Sequence, residues 1–225
     1  MKTLLLCSVL LTASVHATDA MTATAQRFVP KGWKLHSYKV GDLNQDNRAD
    51  LVVIAEQNDP AKRIKNEDLG TQELNLNPRR LLILLQTDTG YQTAQSIDGF
   101  LPSANDADST CLQDPLEVGG ISIAKGVLNI EKHYWQSCGS WEVSHDTYRF
   151  RHENGRFRLI GFDSWSMMRN SGERSEESVN YLTGKKKIVS GLNEFKPGKP
   201  KVKWETISSG QTYYLDDTNL PGSNR

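Results

Sequence analysis

Alternating apolar and polar runs separated by turn dipeptides predict an all-β protein, a meander of antiparallel hairpins forming a sandwich- or barrel-like sheet. Two hairpins carry this reading. Ile121 to Ala124 and Val127 to Ile130 flank Lys125-Gly126, so a two-residue turn would pair Ile123 with Leu128 and Ile121 with Ile130 on one face. Asn154-Gly155 would likewise pair Phe150 with Leu159 and His152 with Phe157. As a third observation, no amphipathic helical run of useful length stands anywhere beyond the N-terminal leader.

The chain opens with a short basic n-region, Met1 to Thr3, and an apolar run from Leu4 to Val15. That run is too short to span a bilayer, which needs about 20 residues, and reads as a secretory signal cleaved after Ala17. Cys7 lies inside the apolar run without the small residues a lipid-anchored cysteine needs before it. The expected organisation is a signal peptide over 1–17, one β domain over 18–207 and a loose polar tail over 208–225. The expected location is the periplasm or the medium.

In order, Leu35 to Val40 and Asp50 to Glu56 are expected strands on either side of a polar loop. Asn58 to Arg80 is a polar insertion of 23 residues, longer than an ordinary structureless connection, and is expected to be mobile or functional. Arg80 to Thr87 reads as a buried strand, and the turn composition of Thr87-Asp88-Thr89-Gly90 lets Tyr91 to Ile97 pair with it. Asp98 to Pro115 is irregular and acidic, with Asp106, Asp108 and Asp114 around Cys111. Ser178 to Leu182 and Lys186 to Val189 make a further hairpin, and Lys201 to Thr206 a last edge strand.

With Lys2 removed, 26 basic side chains face 27 acidic ones. Such a balance argues against a nucleic-acid partner, which calls for a basic excess. No later segment is long and apolar enough to span a membrane. Beyond the leader only Cys111 and Cys138 remain, an even pair in a chain bound for an oxidising compartment, and a disulfide between them is expected.

The loop from Gly41 to Ile54 is the most specific feature. Asp42, Asn44, Asp46 and Asp50 stand at loop positions 1, 3, 5 and 9, and the carbonyl of Arg48 at position 7 would add a fifth oxygen. Hard cations such as calcium take six to eight oxygens, so this spacing predicts a calcium site. Asn47 occupies the position where the turn needs a residue tolerant of positive φ. Val53 stands where an EF-hand carries its bidentate Glu, and a strand follows instead of a helix.

At these residues the chain resembles the FG-GAP and VCBS type of repeat, whose calcium loop runs Asp-x-Asn/Asp-x-Asp-Gly-x-x-Asp into a hydrophobic strand. The resemblance covers 41–54 and departs at Asn47, where glycine is usual. It extends loosely to small secreted bacterial proteins with a single such loop, through Asn77-Pro78-Arg79 and Asn180 to Lys185. It implies calcium as the cofactor and an exported protein, and it names no activity. One loop in a chain of 225 residues does not make a full propeller.

For binding, the aromatic cluster around Trp135 and Trp141 is one candidate surface, since aromatic faces stack on sugars or anchor protein interfaces. The other is the basic face that the Asn154-Gly155 hairpin gives to Arg149, Arg151, Arg156 and Arg158. The histidines fit no zinc signature. The expected function is therefore a calcium-stabilised binding or interaction protein of the cell envelope, with a protein or glycan partner. The alternatives are an inhibitor of another protein and a calcium-dependent hydrolase using His133, His145, Ser140 and Asp146 near Cys138.

Overall fold

The computed structural model describes residues 20–207 and 212–222. The expected signal peptide lies outside them. The fold is all-β and sandwich-like, built on two antiparallel sheets, neither closed into a barrel.

The smaller sheet contains β1 (Trp33–Gly41), β2 (Asp50–Gln57), β5 (Arg79–Thr87) and β6 (Gly90–Asp98), in the order β1-β2-β5-β6. Between β2 and β5 comes the insertion. It holds a 3-10 turn, Pro60–Lys62, and a hairpin of β3 (Arg63–Lys65) and β4 (Glu73–Asn75), so it is a built excursion and not a structureless one. The larger sheet is a meander of β7 (Gly120–Ala124), β8 (Val127–Trp135), β9 (Glu142–Glu153), β10 (Arg156–Met168), β11 (Glu173–Asn180), β12 (Lys185–Asn193) and β13 (Lys201–Thr206).

Register follows the apolar pattern. Ile121 faces Ile130 and Ile123 faces Leu128, while Phe150 faces Leu159 and His152 faces Phe157. Lys125 and Gly126 both take positive φ, as do Asn154 and Gly155. Two consecutive left-handed residues define the turn whose twist matches the strands it joins.

The main core lies between the sheets, where Val52, Ile54, Leu81 and Ile83 meet Leu128, Ile130, Tyr148, Phe150 and Leu159. The opposite face of the smaller sheet is buried as well. Leu51, Val53, Leu82 and Leu84 pack under Ala25, Met21 and Phe28 of a short helix, α1, over residues 20–28. The absence of any helix, expected from the sequence, is thereby corrected. Met21, Ala25 and Phe28 are spaced as one helical stripe, and that stripe caps strands that are apolar on both faces.

The C-terminal segment also departs from expectation. Leu215 and Leu220 are fully buried in the main core, and the Tyr148 hydroxyl donates to the carbonyl of Pro221 at 2.7 Å. Two leucines in a polar stretch are enough to fasten residues 212–222 against the sheets, because burying each is worth about 1.5–3 kcal/mol.

Candidate functional site

The loop between β1 and β2 is organised by its own carboxylates. Asp42 accepts the backbone N–H groups of Gln45, Asp46 and Asn47 at 2.6, 3.2 and 2.9 Å. Asp46 accepts the N–H of Arg48 at 2.9 Å, and its second oxygen accepts the amide of Asn44 at 3.0 Å. Gln45 and Asn47 both have φ of 63°, the left-handed conformation such a tight ring demands. Asp50 is used otherwise. It is fully buried, and its two oxygens accept the N–H groups of Leu43 at 2.7 Å and Gln86 at 2.9 Å, fastening the loop to β5.

Among the described residues no three His, Cys, Asp or Glu side chains gather into a metal cluster. The loop gathers the side-chain oxygens of Asp42, Asn44 and Asp46 within one hydrogen-bonded ring. Across a shallow recess this loop touches the β7–β8 turn, where Gln45 lies beside Gly126. A Cβ on Gly41 would come within 2.7 Å of the Ile123 side chain, so the backbone of β1 approaches β7 closely and glycine is required there. Anything that stiffens the loop stiffens the junction between the two sheets.

A second cleft, about 560 Å³, lies elsewhere. One wall is the irregular segment after β6, contributing Ser103, Asn105, Asp106 and Ser109. The other is the end of β8 and the start of β9, contributing Tyr134, Gln136, Ser140, Glu142 and Ser144. Leu76, Pro102 and Leu112 supply apolar floor. No lysine, arginine or histidine lines it.

Several connections hold the two walls. Cys111 and Cys138 are disulfide-bonded, with Cα atoms 5.5 Å apart, as expected from the sequence. Asn105 accepts the N–H of Asn75 at 2.8 Å, tying the cleft to the β3–β4 insertion. Arg79, 1% exposed, donates at 2.6 and 2.5 Å to the two oxygens of Asp114 and at 3.2 Å to Glu56. Burial acts to pull the Arg79 guanidinium down, but its two carboxylates outweigh that and hold it above its usual range. Glu56 behaves conversely: burial acts to raise it, and hydrogen bonds from Lys34 and Asn75 with the Arg79 charge hold it low. Asp114 is thus committed to a strut, while Asp106 caps the N–H groups of Asp108 and Ser109 at 2.8 and 2.9 Å.

The aromatic candidates lie on the other side. Successive strand residues point to opposite faces, so Tyr134 enters the cleft and Trp135 does not. The Arg169 guanidinium stacks over Trp135 at 4.9 Å and Trp141 at 5.6 Å, and donates to the carbonyls of Gln136 and Ser140 at 2.6 and 2.9 Å. The tryptophans are therefore braced by a cation on the back of the bend, Trp141 remaining 58% exposed. The sequence groups Tyr134 with Trp135, Trp141 and Trp165 as one aromatic cluster; strand alternation from Ile130 separates it from Trp135 and places it inward.

The four arginines of the basic face are brought near one another and each meets acid. Arg149 pairs with Asp163 at 2.6 Å, Arg151 and Arg158 share Glu153, and Arg156 reaches Asp216 at 2.7 Å while stacking on Tyr214 at 3.7 Å. Hydrogen bonding from Arg151, then Arg158, holds the Glu153 carboxyl below its usual range. Little free positive surface is left for an anionic partner.

The residues of the hydrolase constellation do not converge. His133 and His145 face each other across β8 and β9 with ring centroids 5.9 Å apart, and His145 stacks on Trp165 at 6.1 Å. Burial, and then the neighbouring His145, lower the His133 imidazole. Asp146 is fully buried on the opposite face of β9, directly across from Lys132, while Ser140 lines the cleft. Comparison of the chain with protein-family models, curated proteins and solved structures finds no match.

Proposed function

We propose that this chain is an exported recognition protein of the bacterial envelope, stabilised by calcium, whose ligand sits in the cleft between Ser103–Ser109 and the Tyr134–Ser144 bend. The observation that carries the reading is the cleft's chemistry. Hydroxyls, amides and two carboxylates surround one aromatic ring, with no cation among them. Such a set disfavours phosphate, sulfate and acidic sugars, because nothing would balance their charge. It suits an uncharged, hydroxyl-rich ligand, a neutral glycan, whose hydroxyls both donate and accept and whose ring packs on Tyr134.

Calcium enters through the loop that resembles the FG-GAP type, held by Asp42, Asn44, Asp46 and the Arg48 carbonyl, with Asp50 fastening the loop from behind. When bound it would neutralise two neighbouring carboxylates and stiffen the β1–β7 junction. It acts on the scaffold, and the cleft recognises.

Calorimetric titration with neutral oligosaccharides tests the reading. Wild-type protein is expected to bind a member of the panel, and Tyr134→Ala to lose most of that affinity while melting at nearly the same temperature. Binding that survives Tyr134→Ala and Glu142→Ala together, or a preference for anionic glycans, contradicts it.

A further inference from the structure

The larger sheet ends in β7 on one side, where it abuts β1, and in β13 on the other. Among the described residues β13 pairs only with β12, so its outer edge presents unpaired N–H and C=O groups. Natural proteins blunt such edges, because an open strand templates pairing with another chain. Here the edge strand instead carries two large apolar side chains on one face. Val202 is 53% and Trp204 64% exposed. Both continue rows across the outer face: Val202 stands beside Val189, and Trp204 beside Lys187.

The other face carries Lys201, Lys203 and Glu205. Lys203 and Glu205 flank Trp204, bonded to each other at 2.7 Å and open to solvent. In an antiparallel pairing of β13 with a second β13 about a twofold axis through Trp204, each Lys203 opposes the partner's Glu205. Each Val202 then opposes Thr206, and the two Trp204 rings meet. No like charges are placed opposite one another, and the register is self-complementary, as a twofold interface requires.

We propose that β13 is a homodimerisation edge, and that two copies join through it into one continuous fourteen-stranded sheet centred on Trp204. The occupant follows from the strand's own sequence, since Lys-Trp-Glu is its own charge complement when reversed. This goes beyond the cleft and does not depend on it.

Sedimentation or light-scattering mass across a concentration series tests it with three chains. Wild type is expected at twice the monomer mass. Glu205→Lys and Lys203→Glu each place like charges opposite one another twice and are expected to be monomeric. Mixed in equal amounts they are expected to regain the doubled mass, as a heterodimer in which both cross-strand pairs are opposite in sign. The substituted side chains are exposed, and unchanged circular dichroism checks that each variant folds. A wild type that stays monomeric, a dimer that survives both single variants, a mixture that fails to restore it, or a larger open assembly overturns the proposal. So does uptake of an extended peptide from another protein at this edge in place of a second copy.

Discussion

Replacing Arg79 by alanine is the most informative single perturbation of the scaffold. Its guanidinium is 1% exposed and joins β5 to the wall of the cleft through Asp114, while also answering Glu56, whose side chain is 3% exposed. Removing one member of a buried ion pair strands the other and costs about 3–5 kcal/mol. Glu56 keeps Lys34 at 2.8 Å and Asn75 at 2.9 Å, and Asp114 retains some solvent, so the expected loss is at the lower end, about 3 kcal/mol. For a chain of this size that is a fall in Tm of roughly 6–12 °C. Urea unfolding followed by tryptophan fluorescence measures it. Arg80→Ala is the contrast: its partner Asp98 is 60% exposed, so no more than about 1 kcal/mol should be lost even though Arg80 also lies 4.7 Å over Trp33. Replacing Arg79 and Glu56 by methionine and Asp114 by asparagine together should recover part of the loss, because no buried charge then stands alone. A loss below about 1 kcal/mol for Arg79→Ala would refute the strut.

Three further outcomes are expected. Free calcium at 100 times its dissociation constant should add about 2.7 kcal/mol of stability, and Asp46→Ala should abolish that gain; equal melting with calcium and with chelator removes the calcium loop from the account. Lys132 is 4% exposed and its ammonium is pushed down to about 8 by burial, offset in part by Asp146. Because the folded value lies below the unfolded one, the unfolded chain holds the extra proton between pH 8 and 10.5, and stability should rise through that window by about 3 kcal/mol. Lys132→Met should flatten the rise, and an unchanged slope in the variant contradicts the assignment. The Cys111–Cys138 bond closes a segment with a sequence separation of 27, so Cys138→Ala should cost about 3 to 4 kcal/mol, and stoichiometric thiol labelling of unreduced wild type would disprove the bond.

Much of the larger sheet was legible because its hairpins are local. Lys125-Gly126 and Asn154-Gly155 specify both turn and register, which holds until a shift between Leu159 and Gly161 in β10. Elements that depend on distant partners were not legible. Helix α1 is nine residues long and carries only Met21, Ala25 and Phe28 as an apolar stripe. Its existence rests on the second buried face of β2 and β5, whose unbroken apolar runs were the available clue. The same holds for Leu215 and Leu220, which read as part of a polar tail until the gap they fill is known. At the site, the calcium-loop spacing was visible, but the commitment of Asp50 to Leu43 and Gln86 was not, since Gln86 lies on another strand. The cleft was legible only in part: the bend around Trp135 and Trp141 stood out as a candidate surface, but the facing wall did not, because it is held by Arg79 with Asp114 and by Asn75 with Asn105, and only the disulfide that joins the walls was foreseen.

The central claim is that the cleft recognises an uncharged, hydroxyl-rich ligand. Amide chemical-shift mapping during titration with a bound neutral oligosaccharide tests it most directly. The account predicts perturbations concentrated in residues 102–112 and 134–144, lost in Tyr134→Ala. Shifts confined to the outer face around His133, His145 and Trp165, or to the arginines of the β9–β10 hairpin, would contradict it.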